Sequence, residues 1–403
     1  MRRVVITGAG CISGLGHTTE QMWTSLAAGR SAIGPHDLPE LDPLQIKISA
    51  GVKGFDPNAH FDERHIPILD RFTQFTLVAA RQAVIQSGLD FSGPLGAGSA
   101  VVVGTGSGGM NTVDDAFRRL YEDGKLRIFP LTVPRLMVSA ASSHVTMEFG
   151  VRGPAYTISS ACSSANHAIG EAFNMVRYGR AEAAICGGAE ACLTLGSIAA
   201  WQALRVMATD TCRPFCTGRK GMVLGEGAGM FVLETLEAAR ARGATILGEI
   251  VGFGMTSDAG DIVQPSLEGV AGAISAALTD GGLAAEAVDY VNAHGTGTDI
   301  NDVIETKALH QVLGSHAKSI AVSSTKSMHG HALGGAGALE LAATLKAIEH
   351  QTAPPTANFT EADPRCDLDY VPNEARPMKI EAALSNSFAF GGLNAVLAVR
   401  RSA

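Results

Sequence analysis

Cys162 is the residue whose setting most resembles that of a working nucleophile. It lies in Tyr156-Thr157-Ile158-Ser159-Ser160-Ala161-Cys162-Ser163-Ser164-Ala165-Asn166, where a buried strand ends, the chain turns on small residues and a helix begins. This is the logic of a nucleophile elbow, with sulfur in place of a hydroxyl. A thiol at a helix start feels the positive end of the dipole and unpaired N–H groups, which favours its thiolate. Ser160, Ala161 and Ser163 leave room for a thioester to approach. The bland alternative is an inert buried cysteine. Two histidines stand in related settings. His294 follows the strand Asp289–Ala293 and opens His294-Gly295-Thr296-Gly297-Thr298-Asp299, and His331 ends Ser323-Ser324-Thr325-Lys326-Ser327-Met328-His329-Gly330-His331 just before a long helix. The C-terminal ends of strands are where α/β sheets place their sites. Near the end of the chain, Asn386-Ser387-Phe388-Ala389-Phe390-Gly391-Gly392-Leu393-Asn394 reads as a mobile loop with free N–H groups suited to an oxyanion hole, or as an ordinary hairpin turn.

The elements that must position these residues alternate between strand and helix. Strands are expected at Val4–Thr7, Ala100–Val103, Tyr156–Ser159, Ala183–Cys186, Met230–Leu233, Ile246–Gly254, Asp289–Ala293, Ile320–Ser323, Ala382–Ser385 and Ala395–Arg400. Helices are expected at Gln21–Ala28, Asp70–Ser87, Pro134–Met147, Ser163–Tyr178, Ser266–Thr279, Asp302–Leu313 and Leu333–Glu349. Such alternation implies α/β architecture with buried mixed sheets and helices on their faces.

Internal similarity points to a duplicated unit. Ile158-Ser159-Ser160-Ala161-Cys162 lines up with Val322-Ser323-Ser324-Thr325-Lys326, and in that register His167 meets His331. Val102-Val103-Gly104-Thr105-Gly106 likewise resembles Ala293-His294-Gly295-Thr296-Gly297. A division near residue 250 gives a first half, 1–250, with the cysteine and a second, 251–403, with both histidines.

The bulk numbers narrow the class. The chain has 403 residues, 46% of them apolar and only 17% charged, which suits a large core and a buried subunit interface. A net charge of −8 gives no reason to expect a nucleic-acid partner. Seven scattered cysteines suit reduced thiols in a cytoplasm, and Cys212 and Cys216 lack the second pair that a zinc site needs. No apolar run is long enough for a membrane span, and no secretory leader is apparent. Gly8-Ala9-Gly10 after the first strand imitates a dinucleotide fingerprint, but Ser13 stands where the third glycine falls due, so a tight strand–helix turn is expected instead.

Taken together, the cysteine elbow, His-Gly-Thr-Gly-Thr and Lys-Ser-x-x-Gly-His resemble the condensing enzymes, specifically the β-ketoacyl-acyl-carrier-protein synthase II family. Similarity to nodulation-type ketosynthases adds Ser159–Ile169, Asp210–Phe215 and Gly218–Met230. The resemblance covers the whole chain. It implies a thiolase-like duplicated fold of layered helices and mixed five-stranded sheets, forming a homodimer. It implies that Cys162 accepts an acyl chain from an acyl carrier protein. His294 and His331 then promote loss of CO₂ from malonyl-carrier protein, and the resulting enolate attacks the thioester. It also places the N–H groups of Cys162 and Phe390 in an oxyanion hole, Lys326, Glu305 and Glu340 in support, and Thr296 and Thr298 on the phosphopantetheine arm. Phosphopantetheine arrives on the carrier, and beyond a structural monovalent cation no cofactor or metal is implied.

Three departures bear on substrate choice. Ser107 stands where the family often has a bulky aliphatic gate to the acyl pocket, which widens the way for a longer or unusual chain. Leu393 and Ala389 replace a threonine and a glycine of the C-terminal loop. Glu63–Ile68 is thin in basic residues where relatives often carry a carrier-docking patch, which implies a specialised carrier. A chain-length-factor subunit would lack the cysteine, a thiolase would offer a second cysteine near Phe390, and ketosynthase III enzymes place an asparagine where His331 stands. A Cys/His hydrolase would not need the second histidine.

Overall fold

The computed structural model describes residues 1–402 except Asp37, Pro39 and Glu40. Ten strands form its main sheet: β1 Val4–Ser13, β2 Ala100–Gly104, β3 Ala155–Ile158, β4 Ala183–Glu190, β5 Gly227–Thr235, β6 Gly248–Ser257, β7 Tyr290–Asn292, β8 Ala321–Ser323, β9 Ala382–Ala389 and β10 Leu393–Arg400. Six helices matter most for the site: α1 Thr19–Ala27, α2 Arg71–Ser87, α3 Ser164–Arg177, α4 Leu267–Gly281, α5 Asp299–Leu313 and α6 Ala336–His350.

The strand order is β8-β7-β9-β10-β6-β1-β5-β4-β2-β3. Each half repeats one plan. In the first, β2 pairs in parallel with β3 and β4, and β5 runs antiparallel to β4 and β1. In the second, β7 pairs in parallel with β8 and β9, and β10 runs antiparallel to β9 and β6. The two mixed five-stranded units join where β1 meets β6 over only three residue pairs, Val4–Ile6 against Gly248–Ile250. α3 and α6 lie between the units and touch strands of both, while α2 covers one outer face and α4 with α5 the other. The result is helix, sheet, helix, sheet, helix. α6 is buried from Ala336 to Ile348, as a helix walled in on every side must be. Among the described residues no helix is long and apolar enough to cross a membrane.

Helix ends follow their local chemistry. The Thr18, Asp70 and Ser266 side chains accept N–H groups at the starts of α1, α2 and α4. Gly88 and Gly282 end α2 and α4 in the left-handed conformation.

Several expectations change in the folded chain. Gly8 and Gly10 do not make a turn, because β1 runs on to Ser13 with a bulge at Thr7. Their bare Cα atoms let α2 approach: a Cβ on Gly8 would lie 1.9 Å from the Ala83 carbonyl oxygen, and one on Gly10 2.1 Å from that of Ala79. The helix expected at Pro134–Met147 is two, Thr132–Leu136 and Ala140–Phe149, with Met137 extended between them. The Leu136 carbonyl accepts the Gly109 N–H at 3.2 Å, a tertiary bond that competes with helix continuation. The two proposed repeat correspondences are also out of step: Gly104 pairs with Ile158, whereas Val291, four residues before Gly295, pairs with Val322.

Gly8→Ala is expected to push α2 off β1 and lower unfolding stability by about 1–3 kcal/mol or more. Urea titration checks this, and an unchanged midpoint would contradict the close packing.

Candidate active site

Cys162 sits where the first unit turns from strand to helix. After β3 the chain passes through Ala161, whose φ of +50° is left-handed and costly for a residue with a Cβ. Neighbouring hydroxyls hold it there. Ser164 Oγ accepts the Ser160 N–H at 2.9 Å and donates to the Ala161 carbonyl at 2.6 Å, and Ser163 Oγ donates to the Ser160 carbonyl at 2.8 Å. A 3₁₀ turn, Ala161–Ser163, then leads into α3. The thiol is buried, and burial pushes it up to about 12 against the pull of the Lys326 charge and the Phe390 N–H, which bonds to it. Cys162 therefore rests as a thiol, not the thiolate expected from its helix-start position, because desolvation outweighs those favourable fields.

His294 stands in the loop after β7, and α5 holds that loop from below. Glu305 accepts the His294 N–H and the Gly295 N–H, each at 2.8 Å, and the Asn386 side-chain amide at 3.0 Å. Asp302 accepts the Gly297 N–H at 3.3 Å and the Phe215 N–H at 2.9 Å. Burial raises Glu305 to about 7 and Asp302 to about 6.

Lys326, at the matching point of the second unit, is fully buried and ion-paired with Glu340. Its ammonium donates to the His294 carbonyl at 2.6 Å and lies 3.4 Å from His294 Nδ1. An ammonium can only donate, so Nδ1 accepts and the ring proton belongs on Nε2. The His331 backbone is fixed by bonds to Val223 at 2.7 Å and Gly225 at 3.0 Å. The two imidazole centroids are 5.5 Å apart at 84°. Both rings are held well below the usual histidine range, first by burial and then by the Lys326 charge, so both are neutral. His329 is a satisfied structural histidine, bonded to Thr325 Oγ1 at 2.9 Å and the Gly330 carbonyl at 2.7 Å.

A cavity of about 330 Å³ unites Cys162, His294, His331, Phe390, Thr296 and Thr298. The two threonine hydroxyls are 2.9 Å apart. Lys326, Glu305 and Glu340 lie behind its wall. Ser107 does not line it: this residue is exposed, with its N–H on Glu190 at 3.2 Å. Phe390-Gly391-Gly392 is the turn of the β9–β10 hairpin, and the Gly391 and Gly392 N–H groups are not free, because they bond to Ile262 and Ala389 at 2.8 and 3.0 Å. Phe390 stacks on Trp201 at 5.8 Å.

Sequence reading missed Arg219, Asp302 and Asn386. The Arg219 guanidinium is buried and donates to the Cys216, Thr298 and Asp299 carbonyls and to Asp363, bracing the threonine loop. The available signal was its place within Gly218–Met230, one of the segments that carry the resemblance to nodulation-type ketosynthases. Among the described residues no three His, Cys, Asp or Glu side chains form a metal cluster. Oxygens of Asn166, Glu340, Ser385 and Ser387 are instead buried without partners, on facing surfaces of α3, α6 and β9.

Residues 1–239 match the model of the β-ketoacyl synthase N-terminal domain, and residues 247–360 that of the C-terminal domain. The chain belongs to the β-ketoacyl synthase family. This synthase is 48% identical to nodulation protein E of Rhizobium sp. (strain N33), over 99% of both chains. It is 42% identical to 3-oxoacyl-[acyl-carrier-protein] synthase 2 of Synechocystis sp. (strain ATCC 27184 / PCC 6803 / Kazusa), over 99% of this chain and 98% of that one. It superposes with a TM-score of 0.90 and 30% identity, over all of both chains, on the AntDE:AntF complex, a type II PKS acyl-carrier protein with its ketosynthase bound to the hexaketide. The synthase is a condensing acyltransferase with the thiolase-like fold.

Burial of Glu305 ties its proton to folding. The folded state holds this proton up to about 7, against 4.5 as the ordinary value, so stability is lost as pH rises through that window, by about 3 kcal/mol. Glu305→Gln should flatten the fall in thermal stability between pH 5 and pH 8, and a slope equal to wild type would contradict the buried proton.

Proposed function

We propose that this synthase elongates acyl chains with Cys162 as acyl acceptor and His294 and His331 as the decarboxylating pair. The observation that carries the reading is one cavity shared by the thiol, two neutral imidazoles and the Phe390 N–H. In the first step Cys162 Sγ attacks the thioester of an acyl carrier protein. Its proton passes to a neutral imidazole and on to the departing carrier thiol, leaving an acyl-enzyme. In the second, the carboxylate–carbon bond of a malonyl-carrier protein breaks and CO₂ leaves. Negative charge then gathers on the thioester oxygen, where His294 Nε2–H and the His331 ring serve as preorganised donors in a dry site. The enolate carbon attacks the Cys162 thioester, the N–H groups of Cys162 and Phe390 receive the oxyanion, and collapse breaks the C–S bond, leaving a β-ketoacyl chain on the carrier and a Cys162 thiolate that takes up one proton from water to restore the thiol.

The other residues take supporting parts. Lys326, held by Glu340, fixes the His294 tautomer, and Glu305 fixes its loop. Thr296 and Thr298, toward the cavity mouth, face the phosphopantetheine arm. A monovalent cation would fit the unpartnered oxygens of Asn166, Glu340, Ser385 and Ser387, where it would offset buried negative charge and brace α6 against β9. The half 1–250 supplies the nucleophile and 251–403 the histidines. The free cysteines suit a reducing cytoplasm.

A homodimer accounts for the exposed apolar residues, which concentrate between Phe117 and Met147 and include Tyr121, Leu126, Val133 and Met137. β3 is also an open edge strand. Ser107 lies beside Gly108, which packs on Val138 of that face, so a second copy would roof an acyl pocket passing Ser107. Val133→Glu with Met137→Glu should yield monomers by sedimentation equilibrium, and an intact dimer would rule out this face.

The catalytic test is direct. Cys162→Ala should show no acyl adduct by intact-protein mass spectrometry, and an acylated variant would end the assignment. His331→Ala should still acylate at Cys162 but release CO₂ from malonyl-carrier protein ~10²–10³ more slowly. Loss of loading with normal CO₂ release would show the roles to be wrong.

A further inference from the structure

Glu190 closes β4 with a fully buried carboxylate that has no part in the chemistry above. One oxygen accepts the Gly106 N–H at 2.7 Å and the Gly334 N–H at 3.0 Å. The other accepts the Thr105 hydroxyl at 3.1 Å, the Ser107 N–H at 3.2 Å and the Cys192 thiol at 3.3 Å. All five donors are uncharged. A carboxylate removed from water persists in such a place only where dipoles converge on it, so the donors are held to defined points.

Those donors flank the nucleophile from both halves of the chain. Gly106 follows β2, and its carbonyl accepts the Ser159 hydroxyl at 3.1 Å, close to the elbow. Gly334 lies in the turn just after His331, beside Leu333, whose φ is +42°. The two backbones touch: a Cβ on Gly334 would lie 2.1 Å from the Gly106 nitrogen. Leu333 and Cys192 belong to the same apolar cluster as Cys162.

We propose that Glu190 is a positioning residue: its carboxylate clamps the Gly106–Ser107 loop to the Gly334 turn, setting the apolar wall beside Cys162 and the turn that carries His331 in one arrangement. The inference deepens the site described above and rests on Cys162 being the acyl acceptor. Glu190→Gln keeps the shape but turns an NH₂ group toward N–H donors, so one side of the clamp opens. Glu190→Asp keeps the charge and draws it back by one methylene.

The test uses full-length wild type and both variants. Cys162 loading is followed by intact mass with saturated acyl-carrier donors of graded length, condensation by product formation, and thiol ionisation by the pH profile of Cys162 alkylation with iodoacetamide. In Glu190→Gln, condensation should slow about 10²-fold, the preference among donor lengths should change, and the alkylation inflection should move to lower pH as a negative charge near the thiol disappears. Glu190→Asp should change length preference while keeping the wild-type inflection. Wild-type length preference in either folded variant would overturn the clamp, as would an equal loss for all donors with an unmoved inflection. If Glu190→Gln fails to fold, the Asp variant decides by the same length criterion. Wild type that takes no acyl group at Cys162 would overturn both the catalytic reading and the clamp, whereas normal loading with indifferent variants would overturn the clamp alone.

Discussion

The buried ammonium of Lys326 is the interaction on which the site depends. It pairs with Glu340, donates to the His294 carbonyl, faces His294 Nδ1, and its charge adds to burial in depressing the His294 and His331 imidazoles while drawing the Cys162 thiol down. A charge pair so deep gains little net stability over an apolar pair, yet removing one member strands the other at a cost of about 3–5 kcal/mol. Its value lies in arrangement. The fixed cation sets which nitrogen of His294 carries the proton and adds to burial in keeping both rings neutral.

The duplicated plan explains how that cation comes to face a thiol. Cys162 follows β3 and Lys326 follows β8, the matching strands of the two five-stranded units. In one unit the strand-to-helix corner carries the Cys162 thiol, in the other the Lys326 ammonium. The central layer of α3 and α6 brings these corners together from positions 164 residues apart in the chain. Each adjoining loop is then held by a buried carboxylate: Glu190 grips the loop after β2, and Glu305 the loop after β7. The site is therefore rigid from beneath, with its flexible chemistry left to the substrate.

Much of this was legible because it was local. Small residues around Cys162, glycines after His294 and strand-to-helix periodicity are short-range signals, and the elements they mark do form. The errors arose where distant partners intervene. Gly8 and Gly10 read as a turn because nothing nearby shows that α2 will press its carbonyls against them. The helix at Pro134–Met147 read as continuous because Gly109, some thirty residues earlier, takes the Leu136 carbonyl. Arg219 lay inside a family segment without a role assigned to it, and Glu190 carried no motif, since the partners of both come from separate loops.

The sequence by itself determined the kinds of reactive group, the order of strands and helices, and the family resemblance, since all of these reside in residue types and short spacings. Only the tertiary structure decided that Cys162 rests as a protonated thiol, that both imidazoles are neutral, that His294 carries its proton on Nε2, and that Ser107 lies outside the cavity. Protonation and exposure depend on desolvation and on charges brought near through space, and neither is a property of neighbours along the chain.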